Sequence, residues 1–401
     1  MSRTCRPRHP HRLAGCSARS SIKIPVKSNS RTIFPFCDHE NNIEILPFLC
    51  LVLLVGSCKD SSQKEEPAWE QTPVSGVRMV FDRPKMGCVP ILSDSGCLFF
   101  RLHRSESHTV ALYRIQGDSL LFLQEILPKG DGPEDLYIPQ IKLLRDTLYA
   151  LGLFNGENKI LKTAWPPSDD SLQVPPVWKS LHWNGYFNLK DGYPLNDSTL
   201  LVTGSQNDNQ EMFFLFYPAQ ERLVPAGFEF PDDIPGRSQS KSIIYSGQIE
   251  KHPQKDRFVF YTRSFGRYVL VFDCKNGRIE NPRALCADLP KYKLTDAPLN
   301  NRRIADDSWT GVRAVSVTQE YIYVIYNDYT MGQMRDLTNK ADERWHYTDR
   351  IYVYDWEGNP VKCYRTDHPI STLAVSPDGR YAYASGIPQE DQETIWRFPL
   401  P

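Results

Sequence analysis

The residues best suited to chemistry gather in the second half of the chain. Arg302 and Arg303 stand side by side, with Asp306, Asp307 and Trp309 close behind. Tyr329, Arg335, Trp345 and His346 follow at short intervals, and Arg237 lies upstream. Guanidinium forks bind carboxylates in pairs of hydrogen bonds, and Trp and Tyr offer flat faces to sugars or side chains. Taken together, the set reads as recognition of a carboxylate, a sugar or a protein partner. Taken singly, each residue reads as a solvated, salt-bridged loop position. Asp306 and Asp307 could serve as acid/base carboxylates or Ca²⁺ ligands, although adjacent Asp residues are more often an ordinary polar loop.

Sharper chemical signatures are missing. Six His follow Cys58: His103, His108, His182, His252, His346 and His368. None forms a His-x-His or His-Glu-x-x-His pair, so metal-ligand spacing is lacking and no metal is expected. There is no Gly-x-Ser-x-Gly elbow and no Gly-rich phosphate cradle, and no cofactor is expected. The balance leans against an enzyme, although a site assembled from single residues on separate elements needs no motif. The cysteines are equally plain. Cys88, Cys97, Cys274, Cys286 and Cys363 form an odd set. Cys88 and Cys97 flank a hairpin turning near Asp94, with Cys97 expected opposite Leu92 and Cys88 out of register. A bridge needs Cα atoms within about 7 Å, so free, mostly buried thiols are expected.

The elements that must position these residues are short strands. Apolar runs alternate with polar residues and stop at Gly, Pro and Asp, which is period-2 patterning with turn punctuation. Ser376-Pro377-Asp378-Gly379 is the clearest turn: Pro presets φ, Asp caps locally and Gly accepts a positive φ. Six units of up to four strands recur about every 50–70 residues, near the range of propeller repeats. They begin at Val89, Ile138, Tyr186, Ile243, Val312 and Ser371. The sixth lacks an outer strand, while Val77–Asp82 precedes the first unit and belongs to none. That segment is expected to supply the missing strand and so protect the sheet edges. The expected fold is therefore all-β, a six-bladed β-propeller over residues 74–401, with seven blades or a sandwich as alternatives. In such a ring the blade-to-blade loops and the loops between second and third strands share one face. The insertions Ala287–Thr310 and Asp328–Asp349 then fall on that face, on adjacent blades. Long loops on a rigid scaffold commonly carry binding.

The chain holds 401 residues, 40% hydrophobic and 24% charged, enough for one large or two medium domains. Before Cys58 there are eight Lys/Arg and three Asp/Glu. The remainder therefore carries 47 − 8 = 39 basic and 48 − 3 = 45 acidic residues, a net of −6. A mildly acidic globule without a basic patch argues against nucleic acid. Residues 45–57 form an apolar run ending in small residues, with signal-peptide proportions and too short to span a bilayer. Leu54-Val55-Gly56-Ser57-Cys58 resembles the lipobox of bacterial lipoproteins. That resemblance implies cleavage after Ser57 and a lipid on Cys58 that holds a soluble domain on the membrane. Residues 1–44 read as a disordered extension or as sequence upstream of the true start. Residues 58–73 read as the lipidated Cys and a flexible tether.

The Gly130-Asp-Gly-Pro-Glu-Asp135 turn resembles that of NHL-type and TolB-like propeller lipoproteins, and the Ser376 turn resembles those of TolB-like blades. The resemblance runs from about Val74 to Pro401. It implies a six-bladed propeller lipoprotein of Gram-negative bacteria, anchored to the outer membrane on its periplasmic or surface side. Binding of a partner protein or glycan without catalysis, as a monomer, is the expected function. A hydrolase or lyase acting on a carbohydrate or lactone is the alternative.

Overall fold

The structure is a computed structural model that describes residues 69–401 apart from 86, 154–155, 166–175, 207–208, 295–301 and 389–392. These residues belong to one of two compact units, Glu66–Pro401. The expectations for residues 1–68, including Cys58, lie outside the described residues.

Six antiparallel sheets follow one another along the chain. The first blade is Cys88–Asp94, Cys97–Leu102, His108–Gln116 and Ser119–Pro128. The second is Gln140–Leu144, Thr147–Gly152, Lys159–Ala164 and Lys179–His182. Asn188–Asn196, Thr199–Ser205, Phe213–Tyr217 and Arg222–Pro225 make the third. Gly247–Lys251, Arg257–Thr262, Arg267–Lys275 and Arg278–Asp288 make the fourth. The fifth is Val312–Val317, Tyr321–Tyr326, Thr348–Asp355 and Pro360–Ile370. Ala374–Val375, Tyr381–Ser385 and Ile395–Pro399 form the sixth. The six first strands line the central channel.

The segment before the first blade does more than expected. Val77–Arg78 pairs antiparallel with Ile395–Pro399 and is the fourth strand of the sixth blade. Gln71–Val74 adds in parallel to the fifth blade, and Val80–Phe81 adds in parallel to the first. One stretch of chain thus touches three successive blades. The flexible tether expected to run to residue 73 therefore ends sooner. Trp69 already packs edge-on against Tyr352 and Tyr354, at centroid distances of 5.2 and 5.1 Å.

Tight turns set the hairpins. Ser95 and Gly96 have φ of 49° and 72°, the left-handed pair that a two-residue hairpin turn with native twist requires. This turn pairs Cys97 with Asp94 and Leu92 with Phe99, correcting the expected Cys97–Leu92 register, while Cys88 faces Leu102. No described cysteine is disulfide-bonded; four of the five are buried and Cys286 is half-buried. In the sixth blade, Ser376 Oγ donates to Asp378 Oδ1 at 2.6 Å and Gly379 takes φ 72°.

The inner strand of the fourth blade is also corrected. The stretch Ile243–Gly247, read as that strand, begins instead with the end of helix α1 (Ser238–Ile244) and its cap, and the strand runs Gly247–Lys251. Helices pack the same side chains that a strand would, so the run fills core either way. Between blades, aromatic side chains interlock. Phe213, Phe258, Phe260 and Phe272 are fully buried between the third and fourth. Full burial of each such ring stabilises by about 1.5–3 kcal/mol.

Candidate functional site

The two long insertions fold into one cap. The 328–349 insertion contains helix α2 (Met331–Asn339) and a 3-10 turn over Glu343–His346. Thr330 caps α2 by accepting from Gln333 N, and Gln333 Oε1 accepts from Thr330 N, so two orphan amides are satisfied reciprocally. The preceding insertion carries a hairpin, Tyr292–Leu294 with Arg302–Ile304. Met331 N donates to Ser308 O and Gly332 N to Asp306 O, at 2.8 and 2.9 Å. The Arg335 guanidinium pairs with the Asp306 carboxylate across the same seam. At the cap's base, Arg267 stacks on Trp309 at 3.6 Å and donates to Asn327 O at 2.9 Å. Asp232 holds the other end: its carboxylate accepts from Tyr245 and Tyr292 hydroxyls at 2.6 and 2.7 Å and pairs with Lys241 at 2.9 Å.

Beside this cap, the channel opens in a cavity of about 160 Å³. Arg101, Arg263 and Arg313 converge on it, with His103, Gln248 and Tyr261 between them. Arg101 lies at the end of the second strand of the first blade and His103 just follows it, Arg263 follows the second strand of the fourth, and Arg313 lies at the start of the fifth. Those positions all lie on the face of the blade-to-blade loops. The described partners of the three guanidiniums are neutral. Arg101 Nη2 donates to Pro139 O at 3.2 Å and Arg263 Nη1 to Gln248 Oε1 at 3.2 Å. Arg313 Nη2 donates to Trp345 O at 2.8 Å and lies 3.1 Å from His346 Nδ1. The Nε atoms of Arg101 and Arg313 are buried without a partner among the described residues.

Three guanidiniums around one opening make this mouth electropositive. Burial and then the Arg263 charge bring the Arg313 pKa down to about 10. Burial, followed by Arg263, also lowers that of Arg101. Enclosure in the mouth, reinforced by Arg101 and Arg263, holds His103 below its ordinary value, so its ring is neutral at pH 7. An anion entering here would relieve this repulsion.

A buried ion cluster forms the channel's waist. Lys142 Nζ donates to Ile249 O at 2.6 Å and to Glu250 Oε1 at 2.7 Å, and lies 3.7 Å from Asp191 Oδ2. Asp191 Oδ2 accepts from Ile249 N at 2.6 Å. Burial pushes the Asp191 carboxyl up to about 6 against the opposing pull of Lys142, and raises Glu250 as well. Burial would lower the Lys142 pKa, but the two carboxylates outweigh it and the net shift is upward. Lys142 and Glu250 also line a second cavity, about 340 Å³, on the opposite face, with Asp94, Arg145 and Pro377.

The nominated residues divide accordingly. Trp345 and His346 reach the mouth through Arg313, whose guanidinium lies 5.1 Å from the Trp345 ring centre. The Tyr329 carbonyl accepts from Thr310 N and Oγ1, at 3.1 and 2.8 Å, inside the cap. Trp309 is engaged by Arg267, Arg335 by Asp306, and Asp307 by Lys291 at 2.7 Å. Arg302 and Arg303 sit on the cap hairpin, and Arg237 is exposed at the start of α1. Arg237 and Arg303 are not among the described residues that line the mouth. Arg101, His103, Arg263, Arg313, Gln248 and Tyr261 were not read from the sequence. Their signal is positional, being polar residues at the same-face ends of inner and second strands. Among the described residues no three His, Cys, Asp or Glu come together as metal ligands.

No curated protein matches the chain. Among solved structures, a member of the duf4221 family from Bacteroides vulgatus is 9% identical with TM-score 0.47, over 80% of this chain and 96% of that one. The Cps50 (Swd1) β-propeller domain of Myceliophteria thermophila is 10% identical with TM-score 0.41, over 81% and 99%. Hydrazine synthase of Kuenenia stuttgartiensis is 13% identical with TM-score 0.37, over 79% and 96%. The model of the TolB-like 6-blade propeller-like family matches residues 102–378, more than half of the chain, and the chain belongs to that family.

Proposed function

We propose that this protein is an extracytoplasmic binding module, held on the membrane by lipid at Cys58, that captures an acidic group of a partner protein or glycan without transforming it. A propeller of this type suggests an interaction scaffold. The observation that carries the finer reading is the convergence of Arg101, Arg263 and Arg313 on one channel mouth with only neutral described partners. Guanidiniums held close together are costly unless an anion shares them, and their planar forks match carboxylates. The mouth lies on the face where both insertions gather, so a large partner could engage cap and mouth together. Localisation at the outer membrane, on its periplasmic or surface side, rests on the lipobox alone.

The test compares wild type with Arg263→Glu in capture from native membranes, read by mass spectrometry. Arg263 is exposed, so the substitution leaves packing intact. A partner captured by the wild type and lost by the variant supports the reading; identical capture by both overturns it. Cys58→Ser moving the protein from the membrane to the soluble fraction would support the anchor, and unchanged membrane association would overturn it.

One observation favours a hydrolase or lyase instead. His103, neutral beside two arginines, could take a proton next to a carboxylate that those arginines neutralise. Incubation with uronate polysaccharides separates the readings. Unsaturated or shortened products that vanish in His103→Ala would establish catalysis, and binding without products would exclude it.

A further inference from the structure

The arginine mouth does not stand alone. A third cavity, about 250 Å³, adjoins it and shares Arg263 and Arg313 in its wall. The rest of that wall is mixed: Phe265, Val312, Met331, Met334 and Trp345 give it an apolar side, and Ser264, Thr310 and Asn327 complete it. Its elements are the loop after the second strand of the fourth blade, the start of the fifth, α2 and the 3-10 turn. Gly311 permits the join, since a Cβ there would meet Arg263 C and O at 2.1 Å. The two insertions close over the fourth and fifth blades, so cap and cavity are one construction.

This pairing restricts the ligand. Two guanidiniums at the boundary call for an anion, and the side of the chamber formed by Phe265, Met331, Met334 and Trp345 calls for an apolar group close by. Methionine and tryptophan walls accept varied apolar shapes. A uronate satisfies the arginines but sets ring hydroxyls against Phe265, Met331, Met334 and Trp345, which offer them no partner. An internal Asp or Glu brings the charge but no apolar arm on the same residue. The last residue of a polypeptide has both parts, a carboxylate and a side chain on the same Cα.

We propose that the joined cavities bind the C-terminal residue of a partner protein, its carboxylate on Arg263 and Arg313 and a large apolar side chain among Phe265, Met331, Met334 and Trp345. Arg101 and the mouth beyond it lie on the other side of the carboxylate. The inference rests on the binding reading above and narrows its partner.

The probe is a fluorescently labelled peptide ending in phenylalanine, added to the full-length protein and followed by anisotropy. The free acid should bind at least about tenfold more tightly than the same peptide with a C-terminal amide, since a hydrogen bond to a charged group contributes about 1.5–3 kcal/mol. Arg263→Gln should lose a similar factor for the acid and little for the amide. Met334→Glu places a carboxylate in the half-buried chamber wall without disturbing the sheet, and should abolish binding of the acid. Equal affinity for acid and amide, or full affinity in Met334→Glu, overturns the proposal. N-acetyl-phenylalanine competing as strongly as the peptide overturns the protein source, because a free amphipathic acid would then suffice. Membrane partners lost by Arg263→Glu but retained by Met334→Glu would sink this inference and leave the broader reading standing. Partners retained by both variants would sink both.

Discussion

Replacing Lys142 with Met tests the waist of the channel. Lys142 is buried, and its ammonium is shared by Glu250, Asp191 and the Ile249 carbonyl. Methionine keeps the length of the side chain and removes the charge. Two carboxyls are left without their shared cation at the waist, Asp191 fully buried and Glu250 partly so. Even with Lys142 present, Asp191 rises from its ordinary 3.8 to about 6. At about 1.36 kcal/mol per unit, (6 − 3.8) × 1.36 makes the ionised carboxylate cost about 3 kcal/mol. Breaking a buried pair costs about 3–5 kcal/mol in general, and that is the loss expected at pH 8. A carboxyl whose folded pKa is raised contributes stability that is complete below its unfolded pKa and disappears as pH rises through the folded one. Without the ammonium both carboxyls rise further, so the penalty relative to wild type must shrink as pH falls. Urea unfolding of both proteins at pH 5 and pH 8 reads this directly. The double variant Lys142→Met with Asp191→Asn should recover part of the loss, because one of the two charges is gone. An equal loss at both pH values, or a loss under about 1 kcal/mol at pH 8, would refute the assignment of the waist as a charge-compensated cluster.

Two further outcomes are expected. Asp232 lies nearly buried at the root of the cap, and hydrogen bonds from Tyr245, Lys241 and Tyr292 outweigh the upward effect of burial and lower its pKa. Its stabilisation is present above the ordinary value of 3.8 and lost as pH falls through the lowered folded pKa. Asp232→Asn should cost about 2–4 kcal/mol at neutral pH and speed hydrogen exchange in Tyr292–Leu294. An unchanged urea midpoint would count against this role. Gly76→Val puts a Cβ 2.6 Å from Phe398 Cε1, a fully buried ring in the sixth blade. It should cost about 1–3 kcal/mol in urea unfolding, and a neutral effect would mean that Gly76 is not pressed against that ring.

The blades were largely legible because their second and third strands are apolar runs closed by turn residues. Leu98-Phe99-Phe100, Phe258-Val259-Phe260 and Ile322-Tyr323-Val324-Ile325 are buried on both faces and announce themselves. Inner strands are quieter, because one edge faces the channel. Gly247-Gln248-Ile249-Glu250-Lys251 carries the polar groups that line the channel, and those groups dilute its alternation. The more apolar Ile243–Tyr245 just ahead of it drew the assignment and proved to be helix. The same effect hid the site. Lys142, Gln248, Glu250 and Arg313 are isolated polar residues in strands, with no spacing between them along the chain. Only ring geometry unites Arg101 with Arg263 and Arg313. The insertions, by contrast, were visible as long polar interruptions, and their shared face follows from strand alternation alone. Of their residues, Asp306, Trp309 and Arg335 tie the cap together, while Trp345 meets the mouth through Arg313.

The three short strands at 71–81 carry a temporal consequence. Residues 71–74 wait for Pro360–Ile370, and residues 77–78 wait for Ile395–Pro399, almost the whole propeller later in the chain. Contacts of such sequence separation form late, because loop closure must come first. On the ribosome, the earliest blade-forming residues must therefore remain unmatched until the latest have emerged. A nascent chain stalled anywhere short of Ile395 would expose bare strand edges, so this protein has reason to depend on a holding chaperone during synthesis.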